Sequence, residues 1–336
     1  MLTTRKDFMD NTILKQLLTE YDAKRLKAFA ELENRKKLLR DSSHEYESLE
    51  KNLHSISIES LKSMLTLSAD EKEKMLKVLN QKTSLIVEKK KKLLKQLNLP
   101  EDYLSPHFDC PLCEDTGYLG SSLCSCIKQK IYDIEYNKSN IGNVYIENFE
   151  HFNFDIYSDE ANPALYHSQA SPRENIKKIY DISQSFVKNF DSSDEKNLMF
   201  LGPTGLGKTF LSNCIAKEIL DSGKTVLYQT APVMLDTIIK SKFEKNSSDM
   251  LDHILNVDLL IIDDLGTETM NSMKFTELFT IINTRLLNQS SKITKTIIST
   301  NLDLKDIFNI YNERIGSRIV GNYNICRFFG DDLRMR

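Results

Sequence analysis

Apolar residues recur at helical spacing through most of the first hundred positions. Residues 5–98 contain no glycine or proline, so the pattern predicts almost continuous helix in a coiled-coil-like arm of residues 1–100. The polar and β-branched residues 54–60 are predicted to be the turn of a helical hairpin, and Pro100 closes the region. The two apolar stripes are Leu14, Leu18, Tyr21, Ala28, Leu32 and Leu39, and Met75, Leu79, Ile86 and Leu93.

The pattern changes in the second half of the chain, where short β-rich runs alternate with helical stretches. Residues 137–170 are aromatic and polar without a sustained period, which predicts a docked linker. Ser171, Pro172 and Glu174 then predict a capped helix start. The alternation predicts an α/β fold with a mostly parallel sheet covered by helices on both faces. The predicted strands are residues 197–202, 225–230, 257–263, 295–301 and 325–330.

Composition narrows the class of protein. The chain has 336 residues and 38.8 kDa, which is enough for two or three compact units, and its net charge of -3 gives no sign of a general nucleic-acid coat. No apolar run is long enough to cross a bilayer and no signal peptide is evident, so we expect a cytoplasmic protein without a membrane partner.

A phosphate-binding loop follows the first predicted strand. Its residues fit the pattern G-x-x-x-x-G-K-[ST] and precede an apolar helix, which is the context that a P-loop requires. Backbone N–H groups and the helix N-terminus would bind phosphate oxygens, the lysine would reach the terminal phosphates, and the threonine would offer a hydroxyl to Mg²⁺. The alternative is a glycine-rich turn with a surface lysine, which the position of the motif between a predicted strand and a predicted helix disfavours. The eight residues are Gly202, Pro203, Thr204, Gly205, Leu206, Gly207, Lys208 and Thr209.

Polar residues at the ends of two later strands supply the other half of a nucleotide site. Asp263 follows four apolar residues and is a candidate for the Mg²⁺ shell, while Asp264 beside it is a candidate base for the attacking water. Asn301 can place an amide against the γ-phosphate or the water, although asparagine after a strand is also a common turn residue.

Two arginines lie four residues apart in the last predicted helix. Arg314 and Arg318 therefore share one side of that helix. The spacing leaves two interpretations open: solvated surface arginines, or an arginine that reaches the nucleotide of a neighbouring subunit.

Four of the six cysteines form the pattern C-x2-C-x10-C-x-C. Cys110, Cys113, Cys124 and Cys126 predict a closed, structural zinc site, because the first pair has knuckle spacing and disulfides are rare in the cytoplasm. Four buried or reactive thiols are the alternative. His107 is interpreted as a surface residue, and the remaining cysteines, in the P-loop helix and the last strand, as core residues.

Taken in order, these motifs resemble the AAA+ ATPases of the DnaC/DnaI family of bacterial replicative helicase loaders, and the cysteines resemble its DnaI-like branch. The resemblance implies ATP, Mg²⁺ and Zn²⁺ as cofactors, a hexameric replicative DNA helicase and single-stranded DNA as partners, and self-association through the AAA+ domains. It also implies that Asn301 is sensor I and that Arg318, with Arg314 as second choice, is the arginine finger. We expect a helicase-interaction arm at 1–100, a zinc module at 101–136, a linker at 137–170 and the ATPase domain at 171–336.

The chain departs from many AAA+ proteins in two respects. Asp264 stands where many have glutamate, so we expect slow or partner-stimulated ATP hydrolysis. The chain stops six residues after the last predicted strand, which predicts an ATPase core without a C-terminal helical lid, and Arg334 is only a candidate sensor II.

Three functions remain open at this stage. The first is an ATP-dependent helicase loader in DNA replication. An IstB-like transposition helper has a similar core but acts on duplex DNA beside a transposase, and the helical arm and cysteines argue against it. A non-catalytic adaptor that binds ATP as a folding ligand is disfavoured by the acidic pair and the arginines.

Overall fold

A computed structural model describes residues 11–64, 69–135, 146–243, 249–287 and 292–335. The chain divides into two compact units. One is Lys15–Ser122, and the other contains Leu123–Arg336.

The first unit is built on three helices: α1 (Asn11–Ser42), α2 (His44–Met64) and α3 (Ala69–Gln96). The predicted apolar stripes are confirmed, since most of their described members are buried or half-buried. The turn expected at residues 54–60 is wrong, because these residues lie within α2. The first helix break comes instead at Ser43, whose hydroxyl accepts the Tyr46 N–H at 3.2 Å and so caps α2.

The cysteine segment follows α3 and ends in a short helix. Strands β1 (Tyr118–Leu119) and β2 (Ser122–Leu123) form a two-stranded hairpin, and α4 (Ser125–Glu135) comes directly after it. Gln129 of α4 exchanges two hydrogen bonds with the backbone of Val226, so this helix is fixed to the edge of the large sheet in the second unit.

The described part of the predicted linker belongs to the second unit and packs its aromatic residues on that unit's core. Its elements are a short 3₁₀ helix (Phe149–His151) and α5 (Pro163–Tyr166), while residues 136–145 lie outside the described residues. The next helix, α6 (Pro172–Lys188), starts with the predicted capping box, because the Ser171 hydroxyl accepts the Glu174 N–H and the Glu174 carboxylate accepts the Ser171 N–H.

The second unit has a five-stranded sheet in which all the pairings are parallel, in the order β4-β5-β6-β3-β7. The predicted α/β fold is therefore confirmed. The strands are β3 (Asn197–Leu201), β4 (Val226–Thr230), β5 (Leu259–Leu265), β6 (Lys295–Thr300) and β7 (Tyr323–Arg327). The helices between them are α7 (Lys208–Asp221), α8 (Ala231–Phe243), α9 (Asp249–Asn256), α10 (Ser272–Leu287) and α11 (Leu304–Asn322).

Both faces of this sheet are buried, which explains why its strands are nearly continuous apolar runs. Successive side chains point to opposite faces. Thus Leu198 and Phe200 pack with α6 and α7, whereas Met199 and Leu201 pack with helices α8 to α11. The carboxyl ends of the strands lie along one edge, which is where ligands bind in open α/β sheets.

Polar residues fix the opposite edge of the sheet. Asp258, just before β5, accepts hydrogen bonds from the Thr225 N–H (2.8 Å) and hydroxyl (2.7 Å) and pairs with Lys292 at 2.8 Å. Burial alone would raise the pKa of Asp258, but these donors outweigh it and lower the pKa. Among the described residues, the helices are too short or too polar to cross a membrane.

Candidate nucleotide and metal sites

The P-loop of residues 202–209 joins β3 to α7. Gly207 stands at the N-cap of α7 with φ 89°, and Gly205 has φ 77°. Both values lie in the left-handed region, which glycine adopts without strain. A Cβ at Gly205 would also lie 1.9 Å from the Asp332 carboxylate. Glycine is therefore required here both by the curl of the loop and by the chain that packs against it.

Lys208 is buried at the first turn of α7. Its Nζ donates to the carbonyl oxygens of Gly202 (2.7 Å) and Pro203 (2.8 Å) and to Asn301 Oδ1 (2.8 Å). Burial lowers the pKa of Lys208, while the nearby Asp264 and then Asp263 act to raise it. The predicted lysine and asparagine thus lie together at the carboxyl ends of β3 and β6.

Asp263 lies in β5 with its carboxylate among hydroxyl groups. Thr209 Oγ1 donates to Asp263 Oδ2 at 3.3 Å, so the two predicted Mg²⁺ residues are adjacent. A hydroxyl beside a carboxylate is the oxygen-rich, partly charged set that Mg²⁺ uses in P-loop proteins, and these residues therefore fit the ion. A bound Mg²⁺ would supply positive charge to the terminal phosphates.

Asp264 occupies an unusual position in β5. The pairing of β5 with β6 is irregular between Ile262 and Leu265, and Asp264 has φ 53°. Such bulges re-aim side chains next to active sites. The side chain of Asp264 lines the cavity described below, and burial first, with the charge of Asp263 second, raises its pKa.

A cavity of about 560 Å³ extends from the P-loop to an aromatic wall. One end is polar and holds the P-loop with Lys208, Asp264 and Asn301. The other side is apolar, and there Phe152 meets Phe210 edge to face at 5.6 Å. A charged end and an aromatic wall match the phosphates and the base of a nucleotide. The apolar lining consists of Phe152, Ile156, Tyr157, Leu206, Phe210 and Leu333.

The C-terminal segment closes over the P-loop. The Leu333 N–H donates to the Gly205 carbonyl at 2.9 Å, and Arg334 Nη2 donates to the Thr204 hydroxyl at 3.2 Å. Arg334 also pairs with Asp332 at 2.6 Å and lowers the pKa of that carboxyl to about 2. The candidate sensor II therefore lies at the phosphate end of the cavity.

Arg314 and Arg318 lie on α11 beyond its kink at Asn312, which has φ 56° and ψ 177°. Arg314 is exposed. Arg318 is half-buried: its Nε donates to Asn283 Oδ1 at 2.7 Å, and its guanidinium lies 4.6 Å from the centre of the Phe279 ring. Neither arginine is among the described residues that line the cavity of its own chain. The role in a neighbouring subunit stays a prediction.

The four predicted cysteines lie together. Their sulfur atoms are all within 4.8 Å of one another, and the residues are buried or half-buried. A tetrahedral zinc with Zn–S bonds of about 2.3 Å needs sulfurs about 3.8 Å apart, so the cluster fits the ion. His107 is outside the cluster and contacts Asp102 and Arg35 instead, which agrees with its assignment to the surface.

A buried carboxylate supports the first cysteine pair. Asp115 accepts the backbone N–H groups of Asp109 and Cys110, both at 2.9 Å, and the Glu114 N–H donates to the Cys110 carbonyl at 2.9 Å. These bonds hold a tight turn in which both thiols of the knuckle face the same point. Cys214 and Cys326 are buried in the core of the second unit, as expected.

Sequence reasoning missed three parts of the nucleotide site. These are the aromatic wall from residues 151–157, the contact of Leu333 with the P-loop, and two hydroxyl donors to Asp263, from Tyr228 and Ser299. The aromatic residues clustered around Phe152 were the available signal for the wall. The hydroxyl donors carry no motif of their own.

Comparison with known proteins agrees with this geometry. Residues 167–315 match the family described as IstB-like ATP binding protein. The replicative helicase loader DnaC of Escherichia coli (strain K12) is 30% identical over 158 residues, which are 46% of this chain and 62% of that protein. DnaC of Buchnera aphidicola subsp. Baizongia pistaciae is 29% identical over 168 residues, 48% of this chain and 66% of that protein.

A crystal structure of the DnaC helicase loader aligns with 50% of this chain and 97% of its own, at 24% identity and a TM-score of 0.42. In the sequence alignments, the chain spans less than two thirds of the length of the two DnaC relatives. The P-loop and four of the five strands, β3 to β6, lie within residues 167–315. Residues 167–315 therefore form a P-loop domain that matches the IstB-like ATP-binding family, and its relatives include DnaC helicase loaders.

Proposed function

We propose that this protein is an ATP-dependent loader of a hexameric replicative DNA helicase. The observation that carries the proposal is the cavity in which P-loop, Lys208, Asp264 and Asn301 meet, within a domain whose relatives include DnaC helicase loaders. Such a protein binds single-stranded DNA, associates with its own copies through the AAA+ domains and works in the cytoplasm.

In this proposal ATP lies with its base against the aromatic wall and its phosphates on the P-loop. Lys208 brings a positive charge to the β- and γ-phosphates, and Thr209 and Asp263 hold Mg²⁺. Asp264 orients the attacking water and accepts its proton, a task for which a raised carboxylate pKa is suited. Asn301 positions the γ-phosphate, and Arg318 of a neighbouring copy completes the site. Hydrolysis is slow until a partner aligns these groups.

The helical unit is the proposed contact with the helicase. On α1, Leu26 is 70% exposed and Phe29, one turn further, is 41% exposed, so the two form an apolar patch on one face. Leu38, also on α1, is 63% exposed but lies about 120° around the helix from Leu26. Leu38 therefore offers a matched control for the patch. The zinc site gives the cysteine segment, most of which belongs to this unit, a fixed shape.

The test is capture of the purified hexameric replicative helicase of the same host by the tagged full-length protein. We expect the wild-type protein to retain the helicase, Leu26→Asp to retain at least about tenfold less, a loss typical of an interface anchor, and Leu38→Asp to behave as wild type. All three should bind fluorescent ATP equally. Failure of the wild-type protein to retain the helicase, with or without ATP, contradicts the proposal.

An IstB-like transposition helper is the second candidate, because residues 167–315 match the family described as IstB-like ATP binding protein. The same tagged protein separates the two functions. A helper of this class would bind duplex DNA in the presence of ATP and ignore the replicative helicase. Retention of duplex DNA in place of helicase would therefore favour the helper.

A further inference from the structure

The carboxylate of Asp263 is surrounded by four donors. Its Oδ2 accepts the hydroxyl of Tyr228 at 2.6 Å and that of Thr209 at 3.3 Å. Its Oδ1 accepts the Asp264 N–H at 3.1 Å and the hydroxyl of Ser299. A carboxylate has about four lone-pair positions, so these contacts fix both its plane and its rotation.

Tyr228 reaches this carboxylate from the neighbouring strand. It lies in β4, where Thr230 is paired with Asp263, and its ring is 1% exposed in the core beneath the P-loop helix. At 2.6 Å this contact has the length of a charge-assisted hydrogen bond, whereas the bond from Thr209 is long.

Ser299 holds the same carboxylate from the other side, in β6. Its hydroxyl donates to Asp263 and accepts the Asp264 N–H at 3.2 Å. It therefore links the side chain of Asp263 to the backbone of Asp264 at the irregular part of β5. One serine hydroxyl thus positions both acidic residues of the site.

We infer that Tyr228 and Ser299 are positioning residues that clamp Asp263 against Thr209 and so set the geometry of the Mg²⁺ site. The inference rests on the proposed function, because it concerns the metal that accompanies the nucleotide. Neither residue belongs to the P-loop or to the acidic pair. Their effect reaches the metal through Asp263 and leaves the phosphate contacts of the P-loop unchanged.

If Tyr228 positions Asp263, removal of its hydroxyl should weaken the binding of Mg²⁺ with the nucleotide. Tyr228→Phe keeps the buried ring and deletes only the donor, which leaves Asp263 Oδ2 with the weak contact from Thr209. Loss of a group that orients a metal ligand typically costs about 10- to 100-fold in metal affinity. The stimulation of nucleotide binding by Mg²⁺ should therefore fall about tenfold. Binding without metal should be unchanged, since the P-loop is intact.

The experiment is a titration of the full-length protein with fluorescent ADP, once in EDTA and once in saturating Mg²⁺. The ratio of the two affinities measures how well the protein holds the metal with the nucleotide. Tyr323→Phe is the matched control, because Tyr323 is also buried but lies in β7, three strands from β5. We expect Tyr228→Phe to match wild type in EDTA and to lose about tenfold in the ratio, and Tyr323→Phe to change neither.

Thermal unfolding establishes whether Tyr228→Phe is folded. If it is not, Ser299→Ala removes the donor at the other carboxylate oxygen and should lower the same ratio. A wild-type ratio in the folded variant overturns the inference. So does an equal loss in EDTA and in Mg²⁺, because the hydroxyl would then support only the fold. If the wild-type protein binds no ADP in either buffer, the proposed ATP-dependent function is contradicted, and the inference about Tyr228 and Ser299 is contradicted with it.

Discussion

Replacing Arg285 should destabilise the ATPase domain more than any surface change of the same type. This side chain of α10 is 2% exposed, and its guanidinium donates to the carbonyl oxygens of Ile254 (2.7 Å), Val257 (2.9 Å) and Lys295 (2.7 Å). It thereby ties the end of α9 to the beginnings of β5 and β6. Burial lowers the pKa of Arg285 to about 10.

The size of the effect follows from the groups left behind. Arg285→Met keeps a long side chain but deprives three buried carbonyls of their donor, at about 1–3 kcal/mol each. Relief from burying a charge offsets part of this, so we expect a net loss of about 3–5 kcal/mol. That is a large share of a typical domain stability of about 5–15 kcal/mol. It corresponds to a fall of roughly 6–20 °C in Tm.

The chain contains no tryptophan, so the assay is hydrogen exchange of the amides in β5 and β6, with far-UV circular dichroism for Tm. Arg314→Met is the control, because Arg314 is exposed and its loss should stay within about 0.5 kcal/mol. A loss of less than about 1 kcal/mol for Arg285→Met would show that the reasoning from unpaired carbonyls is wrong.

Three further predictions concern the metal, the neighbouring subunit and pH. Cys110→Ser should lose the one zinc per chain while Cys326→Ala retains it, as measured by elemental analysis; equal metal content would refute the site. Arg318→Ala and Lys208→Ala, each inactive alone, should regain part of the DNA-stimulated ATPase activity when mixed. If mixed assemblies are shown to form and have no ATPase activity, Arg318 does not act on a neighbouring subunit. Asp258 has a lowered pKa in the folded state, so its stabilisation is present above the unfolded value of about 3.9 and is lost as the pH falls through the folded one. In urea titrations Asp258→Asn should therefore be less stable than wild type by roughly 1–2 kcal/mol at pH 7, with the difference shrinking below about pH 4; a constant difference would contradict this.

The parts of the fold that could be predicted from sequence are those with local causes. The capping box at Ser171 depends on residues three positions apart, and the P-loop depends on eight consecutive residues between a strand and a helix. The buried strands are apolar runs because both faces of the sheet are covered. The cluster of four cysteines could also be predicted, because their spacing in the sequence is typical of a zinc site.

The parts that could not be predicted depend on contacts between distant residues. Tyr228 meets Asp263 across 35 positions, and Leu333 reaches Gly205 from the far end of the domain. The hairpin turn was predicted at residues 54–60 and not at Ser43, because the helix propensities of polar and β-branched residues differ little. The packing of α2 against α3 decides where the helix continues. Local patterns carry no information on such pairs.

The most direct test of the account is a helicase-loading assay on circular single-stranded DNA. The host's replicative helicase, with and without this protein and ATP, is separated from unbound helicase by gel filtration, and the helicase that co-elutes with DNA is measured. We predict ATP-dependent loading by the wild-type protein and none by Lys208→Ala, while Asp264→Asn binds ATP without hydrolysing it. If the wild-type protein places no more helicase on the DNA than is found in its absence, it is not a helicase loader.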